Sequence, residues 1–269
     1  MRILSWNIAG IRAKLKKKYL NFLLDSNISV ICFQETKGTE EEIEKCIHMD
    51  LKQKFPYRYY SSCSGTGAQR KGLNGVSIWS KYKPCKIIEP MDFGKDEGRT
   101  LGIDLGIFTI ITVYTPNGQS YNSERFNFRV NEWDSNFRSW INQQTNKTIV
   151  CGDFNVAYTK NDLHHRWWGE DKLVGASIEE RNNFKKLLDD GWKDTYKYIK
   201  EKDGRFFLKK KFTYWDQRIP IYKKYNIGWR IDYFLVNKEM EKYVKKNQIL
   251  DKIEGSDHCP IKLNVNLKI

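Results

Sequence analysis

Asn7, Glu35, Asp153 with Asn155, Asp232, and Asp257 with His258 are acids, amides and one imidazole, supplied by five separate strand ends or loops of this 269-residue chain. Any one of them alone makes an ordinary turn, because Asn, Asp and Gly after a strand readily bond the neighbouring backbone. Five together point to a site, since chemistry in α/β folds gathers where strands end. The set contains no cysteine. Hard ligands of this kind suit Mg²⁺, with Mn²⁺ as the alternative, rather than zinc, and Mg²⁺ takes one or two carboxylates while keeping several waters. A hydrolytic phosphate site needs such a metal.

These residues must be carried by a framework. Short runs rich in β-branched residues at Arg2–Ile8, Ser29–Phe33, Gly75–Trp79, Thr100–Leu105, Ile107–Tyr114, Thr148–Cys151, Arg230–Val236 and Pro260–Leu267 predict strands. Between them, Thr39-x-x-Glu42 and Ser177-x-x-Glu180 are capping-box signatures of helix starts. Phe126, Val130, Trp133, Phe137 and Trp140 recur at helical spacing and predict a buried aromatic face. The pattern is a mixed α/β domain. With no Pro/Gly/Ser linker, low-complexity tract or fixed-period repeat, residues 1–269 are expected to form a single domain.

Composition narrows the partner. The formal net charge is +14, while hydrophobic residues make up 40% and aromatics 14%, too much for a disordered basic tail. Charge of this sign asks for an anionic partner, and nucleic acid, an acidic membrane surface and an acidic protein all satisfy it. No window is apolar enough to span a bilayer, and the opening Met1-Arg2-Ile3-Leu4-Ser5-Trp6 is not a secretory leader, so an intracellular place is expected. Six cysteines without C-x-x-C spacing read as reduced thiols, mostly core fillers.

Seven blocks run in order from residue 1 to about residue 265. They are Ser5-Trp6-Asn7-Ile8, Gly10-Ile11-Arg12-Ala13, Gln34-Glu35-Thr36-Lys37, Tyr114-Thr115-Pro116-Asn117, Gly152-Asp153-Phe154-Asn155-Val156-Ala157, Gly228-Trp229-Arg230-Ile231-Asp232-Tyr233-Phe234 and Gly255-Ser256-Asp257-His258-Cys259-Pro260. Together they strongly resemble the exonuclease III family of apurinic/apyrimidinic (AP) endonucleases. Gly-Asp-Phe-Asn alone is shared across the wider endonuclease/exonuclease/phosphatase superfamily, whereas the Trp-Arg-Ile-Asp-Tyr and Gly-Ser-Asp-His-Cys-Pro blocks belong more narrowly to the DNA-repair branch.

The resemblance implies a four-layered α/β/β/α sandwich of two packed, mixed, mostly antiparallel sheets with the site at one edge. It implies Mg²⁺-dependent hydrolysis of duplex DNA immediately 5′ to an abasic site by a monomeric enzyme in the nucleus, the cytoplasm or wherever DNA is replicated. Side activities at 3′ ends, including 3′-phosphodiesterase and 3′→5′ exonuclease, come with the family. Glu35 matches the metal-ligand glutamate, with Asn7 and Asp257 completing or flanking the metal site. Asp153 matches the aspartate that orients or deprotonates water, with Asn155 placing that aspartate or a phosphate oxygen. Asp232 matches the carboxylate that orients His258, which donates to a phosphate oxygen, and Tyr114 offers its phenol. Tyr214, Trp229 and Ile231 match the walls of the pocket for a sugar lacking its base, and Arg99, Asn117, Asn226 and the Lys71-Gly72 loop are expected phosphate contacts.

Some residues stay bland or depart. His164-His165 look ligand-like but match no family site and read as loop residues; Lys16-Lys17-Lys18 reads as a solvated helix face. Ala9 stands where relatives commonly have Asp or Asn, Leu73 where tyrosine is usual, and Gln119–Ser123 replaces a loop that often carries a DNA-inserting arginine. Competing readings are another branch of the superfamily, such as a deoxyribonuclease I-like nuclease, a sphingomyelinase or an inositol-polyphosphate phosphatase, and a catalytically dead DNA-binding relative. The Trp-Arg-Ile-Asp block argues against the first and the intact acid, amide and imidazole set against the second.

Overall fold

The strand Arg2–Asn7 (β1) is buried at every residue after Arg2, which requires a layer on each of its faces. The computed structural model, which describes residues 1–65, 71–202 and 211–269, supplies both layers. Ile3 packs into a core shared with a second sheet, while Leu4 and Trp6 pack under helices.

The first sheet adds β2 (Val30–Gln34), β3 (Tyr57–Ser61) and β4 (Val76–Ser80), and the second holds β5 (Lys86–Ile88), β6 (Thr100–Asp104), β7 (Thr109–Tyr114), β8 (Thr148–Asp153), β9 (Lys193–Asp194) and β10 (Asp232–Val236). The chain then returns to the first sheet with β11 (Val244–Ile249) and β12 (Ile261–Val265). The orders are β11-β12-β1-β2-β4-β3 and β5-β6-β7-β8-β10-β9. Each sheet has one parallel pair, β1 with β2 and β7 with β8, flanked on both sides by antiparallel neighbours. On the outer face of the first sheet lie α1 (Ile11–Lys16), α2 (Glu40–Glu44) and α3 (Met49–Lys54), contributing Ile11, Leu15, Ile43 and Leu51 to its core. The second sheet is covered by α4 (Glu124–Phe128), α5 (Asp134–Asn142) and α6 (Ile178–Asp189) through Trp133, Phe137, Ile141, Phe184 and Leu187. The layers are therefore helix, sheet, sheet, helix, as the resemblance implies.

All eight strands expected from sequence form, and both capping boxes close, Thr39 with Glu42 and Ser177 with Glu180. The four strands that lacked a signal, β3, β5, β9 and β11, are the four sheet edges. Edge strands are short or polar because a long apolar edge invites pairing with another chain; Val-Lys-Lys-Asn-Gln-Ile in β11 shows why no apolar run marks it.

The aromatic face needs a correction. The buried residues are Phe126, Arg129, Trp133, Phe137 and Ile141, with Val130 and Trp140 only half-buried. A π-helical stretch at Arg129–Trp133 widens one turn and shifts the phase of the face. Arg129, three residues after Phe126, lies on the buried side. Four cysteines are buried and all six are free, with Cys46 half-buried and Cys85 exposed. Lys16, Lys17 and Lys18 are exposed. No helix among the described residues is long and apolar enough to cross a membrane.

The inner faces of both sheets grade from apolar to polar along the strands. Alternate residues run Ile3, Ser5, Asn7 on β1; Val30, Cys32, Gln34 on β2; Ile110, Thr112, Tyr114 on β7; and Ile149, Cys151, Asp153 on β8, with β10 reaching the same end at Asp232. The register sets Asp153 opposite both Tyr114 and Asp232, and Asn7 opposite Gln34. Gln34 ties the two sheets together there, its Nε2 donating to Ser5 Oγ at 3.1 Å and Thr112 Oγ1 at 2.8 Å. Side-chain alternation along a strand thus delivers the polar residues to one edge of the sandwich.

Candidate active site

Glu35 follows β2 and Asn155 follows β8, and both adopt left-handed backbone, φ 51° and 48°. Non-glycine residues held there cost roughly 1–3 kcal/mol each and cluster at functional sites. Between them, Gly152 has φ 145°, and a Cβ there would stand 1.9 Å from the Val113 carbonyl oxygen. Only glycine lets β8 lie this close to β7 just before Asp153.

The Asn7 amide joins the acids. Its Nδ2 donates to Glu35 Oε1 at 2.9 Å and to Asp153 Oδ2 at 2.9 Å. Its Oδ1 accepts the Ala9 backbone N–H at 3.1 Å, which fixes which end of the amide faces the acids. Asn7 therefore presents its N–H donors, not its oxygen, to Glu35 and Asp153. Asp153 Oδ1 accepts the Asn155 N–H at 2.8 Å, and Asn155 Nδ2 donates to the Thr115 carbonyl at 2.9 Å, so Asn155 holds the aspartate.

His258 is 4% exposed. Its Nδ1 lies 2.8 Å from Asp232 Oδ2, and its Nε2 lies 3.8 Å from Asp153 Oδ2. Burial alone would push the imidazole pKa down; the two carboxylates outweigh it and raise it to about 10. Burial pushes Asp153 the other way for an acid, upward, reinforced by Asp232 and opposed by His258. Glu35 stays below its usual range in spite of burial because Lys37 Nζ sits 2.7 Å from its Oε2. The phenol of Tyr114 is pushed well up by burial and then by Glu35, which keeps it an O–H donor.

Arg99 differs from expectation. It is 5% exposed, its guanidinium paired to Glu97, bonded to the Tyr114 carbonyl at 3.1 Å and stacked 4.7 Å from the Tyr114 ring. A buried guanidinium keeps its charge only when paired, and this pairing makes Arg99 a support of Tyr114 rather than a phosphate contact. Arg125 joins the same glutamate.

Tyr214, Trp229 and Ile231 line a cleft of about 720 Å³ together with Glu35, Tyr114, Asn117, Asp153, Asn155, Asp257 and His258. The Tyr214 ring is 4.9 Å from that of His258. Trp229 is half-buried and packs on Leu163, Ala176 and Ile231, so it is both core and cleft wall. Asn117 is exposed at the mouth, its Nδ2 donating to Asn155 Oδ1 at 3.1 Å. Asn226 lies elsewhere, in a neighbouring hollow with His164 and His165. Exposed Lys71 and half-buried Gly72 are not among the described residues that line the cleft.

Several residues behind the site have partners that no local pattern shows. Arg129 donates to the carbonyls of Asn155 and Phe154, both at 2.9 Å, and to Glu180 Oε1 at 2.6 Å. Glu180 in turn accepts the Gly175 N–H at 2.6 Å. Arg230 is clamped by Asp162 at 2.7 Å and Asp194 at 2.6 Å, fixing the stretch between Trp229 and Asp232. Only an arginine one position before an expected apolar residue hinted at Arg129; Asp162 and Arg230 are too far apart in sequence for any local pattern.

Two places could hold a cation. Asp153, Asp232 and His258 offer ligand atoms within 4.8 Å of one another, but the His258 proton already supplies positive charge there. Glu35 and Asp257 both line the cleft with hard carboxylates, and Glu35 already pairs with the Lys37 ammonium at 2.7 Å. The oxygen donors at this second place fit a hard divalent ion.

A buried imidazole held by a carboxylate, a second carboxylate held by amides and a lysine-paired glutamate, all at one edge of two stacked sheets, define a phosphoester-hydrolase class of site. The profile of the Endonuclease/Exonuclease/phosphatase family matches residues 4–258, and the chain belongs to that family. It is 32% identical to a DNA-(apurinic or apyrimidinic site) endonuclease of Dictyostelium discoideum, over 99% of this chain and 71% of that protein. An exodeoxyribonuclease of Bacillus subtilis is 30% identical over 99% of this chain and its own full length. The fold matches that of an AP endonuclease from Archaeoglobus fulgidus with a TM-score of 0.83, 22% identity, 99% of this chain and 100% of that one.

Proposed function

We propose that this chain is a DNA-repair AP endonuclease that hydrolyses the phosphodiester immediately 5′ to an abasic site in duplex DNA, leaving a 3′-hydroxyl and a 5′-deoxyribose phosphate. The observation that carries the reading is the run of contacts from Asp232 through His258 and Asp153 to Asn7 and Glu35 on the floor of a cleft walled by Tyr214 and Trp229.

Asp153 takes a proton from the attacking water, and its upward-shifted pKa makes it a competent base near neutrality. Asn155 and Asn7 hold its two oxygens. His258, kept protonated by Asp232, donates Nε2–H to a phosphate oxygen, and the Tyr114 phenol donates to the same group. Glu35 and Asp257 would hold Mg²⁺ or Mn²⁺, which when bound supplies charge neutralisation at the phosphate. The P–O3′ bond breaks and the 3′ oxygen takes a proton from solvent. Tyr214, Trp229 and Ile231 leave room for a sugar without its base and exclude an intact nucleotide. The same cleft supports processing of 3′ ends as side activities. The reading includes a single catalytic domain over residues 1–269, a monomer, and an intracellular place of action.

The test is a duplex with one abasic site, beside an undamaged duplex, with and without Mg²⁺, both products being sized. Magnesium-dependent incision on the 5′ side of the lesion alone is expected. Equal cutting of undamaged duplex, or none at the lesion, overturns the reading.

A further inference from the structure

Eight large hydrophobic side chains are exposed among the described residues, and four of them, Trp168, Ile219, Ile221 and Tyr225, fall in two neighbouring segments, 164–168 and 219–226. Trp168 is 46% and Tyr225 61% exposed. Patches of this kind mark interaction sites on soluble proteins. The segments adjoin the cleft: Trp167, Ile219 and Tyr222 belong to its wall, and the Trp167 ring lies 5.3 Å from that of Trp229 and 5.9 Å from that of Tyr222. A second hollow continues outward past Trp168, Lys224 and Tyr225.

Cations interleave with these rings. The Arg166 guanidinium lies 5.3 Å from the Trp167 ring and 5.1 Å from that of Tyr222, and Lys224 Nζ lies 5.7 Å from the Tyr225 ring. No carboxylate lines the outer hollow among its described residues. Alternating aromatic faces and cations without acids suit a polyanion whose flat groups stack while its charges pair, which describes unpaired nucleotides. A second copy of this chain, itself at +14, would use the rings but leave the cations without counter-charge, and an acidic peptide would pair the cations but lacks a flat group at every charge to stack on the rings.

We infer that segments 164–168 and 219–226 form a shelf that takes unpaired DNA nucleotides running out of the cleft, so that substrates with a single-stranded stretch beside the scissile phosphate bind more tightly than flush duplex. The inference rests on the proposed reading of the cleft as a DNA site and names the substrate class that its flank selects.

The test compares the full chain with the double variant Trp168→Ala/Tyr225→Ala, both positions exposed and outside the catalytic set. Binding of a fluorescent 12-nucleotide dT strand is measured by anisotropy without Mg²⁺, alongside incision of an abasic duplex with Mg²⁺. The variant is expected to lose at least about 10-fold in dT affinity, in line with stacking effects of roughly 5- to 150-fold per base, while duplex incision stays within about twofold. Lys224→Gln should reduce the salt slope for dT by about 0.7, one phosphate contact. An unchanged dT affinity, or equal losses on both substrates, overturns the shelf. So does a wild type that sediments as a dimer and a variant that sediments as a monomer, which would make the patch a self-interface. Absence of abasic incision by the wild type would instead sink the reading of the cleft itself.

Discussion

The Asn7 amide is a fixed spacer between Glu35 and Asp153, because the Ala9 N–H allows it only one orientation. Two acids held apart in this way can serve two roles, one drawing a cation and one drawing a proton. Asp153→Asn keeps the size but removes the base, and a general base is worth about 10²–10⁴ in rate. Steady-state incision should fall by that much while the melting temperature holds or rises, since a buried carboxylate with an upward-shifted pKa is itself a destabilised group. Near-normal turnover by this variant at saturating Mg²⁺ would remove Asp153 from its role. Asp232 acts on the other limb. His258 must be protonated to donate, so its pKa of about 10 lets activity persist through neutrality and fall only as pH rises through about 10. The same raised pKa contributes stability that is complete below the ordinary value of about 6.5 and lost on passing 10. Asp232→Asn withdraws a negative charge from both His258 and Asp153, so both limbs of the pH–rate profile should move to lower pH. A profile of the variant with its alkaline limb still near 10 would show that Asp232 does not set the imidazole.

At the scale of elements, the site depends on how close β7 and β8 lie. A Cβ at Gly152 would meet the Val113 backbone at 1.9 Å, with no flexible atom to give way. Gly152→Ala should therefore force these strands apart and lower stability by several kcal/mol, with an effect on melting far beyond the roughly 1 kcal/mol of an ordinary strand substitution; a melting temperature within a few degrees of wild type would show that the pair can slide. Gly152 and Asp153 were legible from sequence because one short block carries both the backbone requirement and the acid. Most of the eight inner strands were legible for a related reason, since burial on both faces leaves an apolar run, while β12 alternates buried Ile261, Leu263 and Val265 with half-buried polar residues. The edge strands β3, β5, β9 and β11 were not, because an edge answers to solvent and to the danger of mispairing. The acids, amides and imidazole of the candidate site could be read because each sits in a recognisable block, whereas Arg99 was misplaced. A guanidinium near the site in sequence says nothing of whether Glu97 and Arg125 draw it beneath Tyr114. Arg129 was hidden by its type: three residues after Phe126 it falls on the buried face, but an arginine is expected at the surface unless a distant partner such as Glu180 draws it in.

Across the whole molecule the interior nearly cancels its own charge. The buried guanidiniums of Arg99, Arg129 and Arg230 face Glu97, Glu180, and Asp162 with Asp194, and His258 faces Asp232. The excess of +14 therefore resides on exposed lysines and arginines, where it is free to meet phosphates. Counter-ions released from DNA on binding make log K fall linearly with log salt, by about 0.9 per phosphate neutralised on duplex. If the surface engages about five phosphates, the slope should be near −4.5. Anisotropy titrations of undamaged duplex between about 50 and 200 mM salt, without Mg²⁺, measure it directly. Base-independent phosphate contacts predict the same slope for duplexes of different sequence, since they position the protein without reading bases. An abasic duplex should then bind more tightly at every salt concentration with an unchanged slope, because the cleft walls add an uncharged contribution. A flat salt response would mean that the surface charge serves something other than DNA, and a steeper slope for the abasic duplex would mean that lesion recognition itself recruits further phosphates.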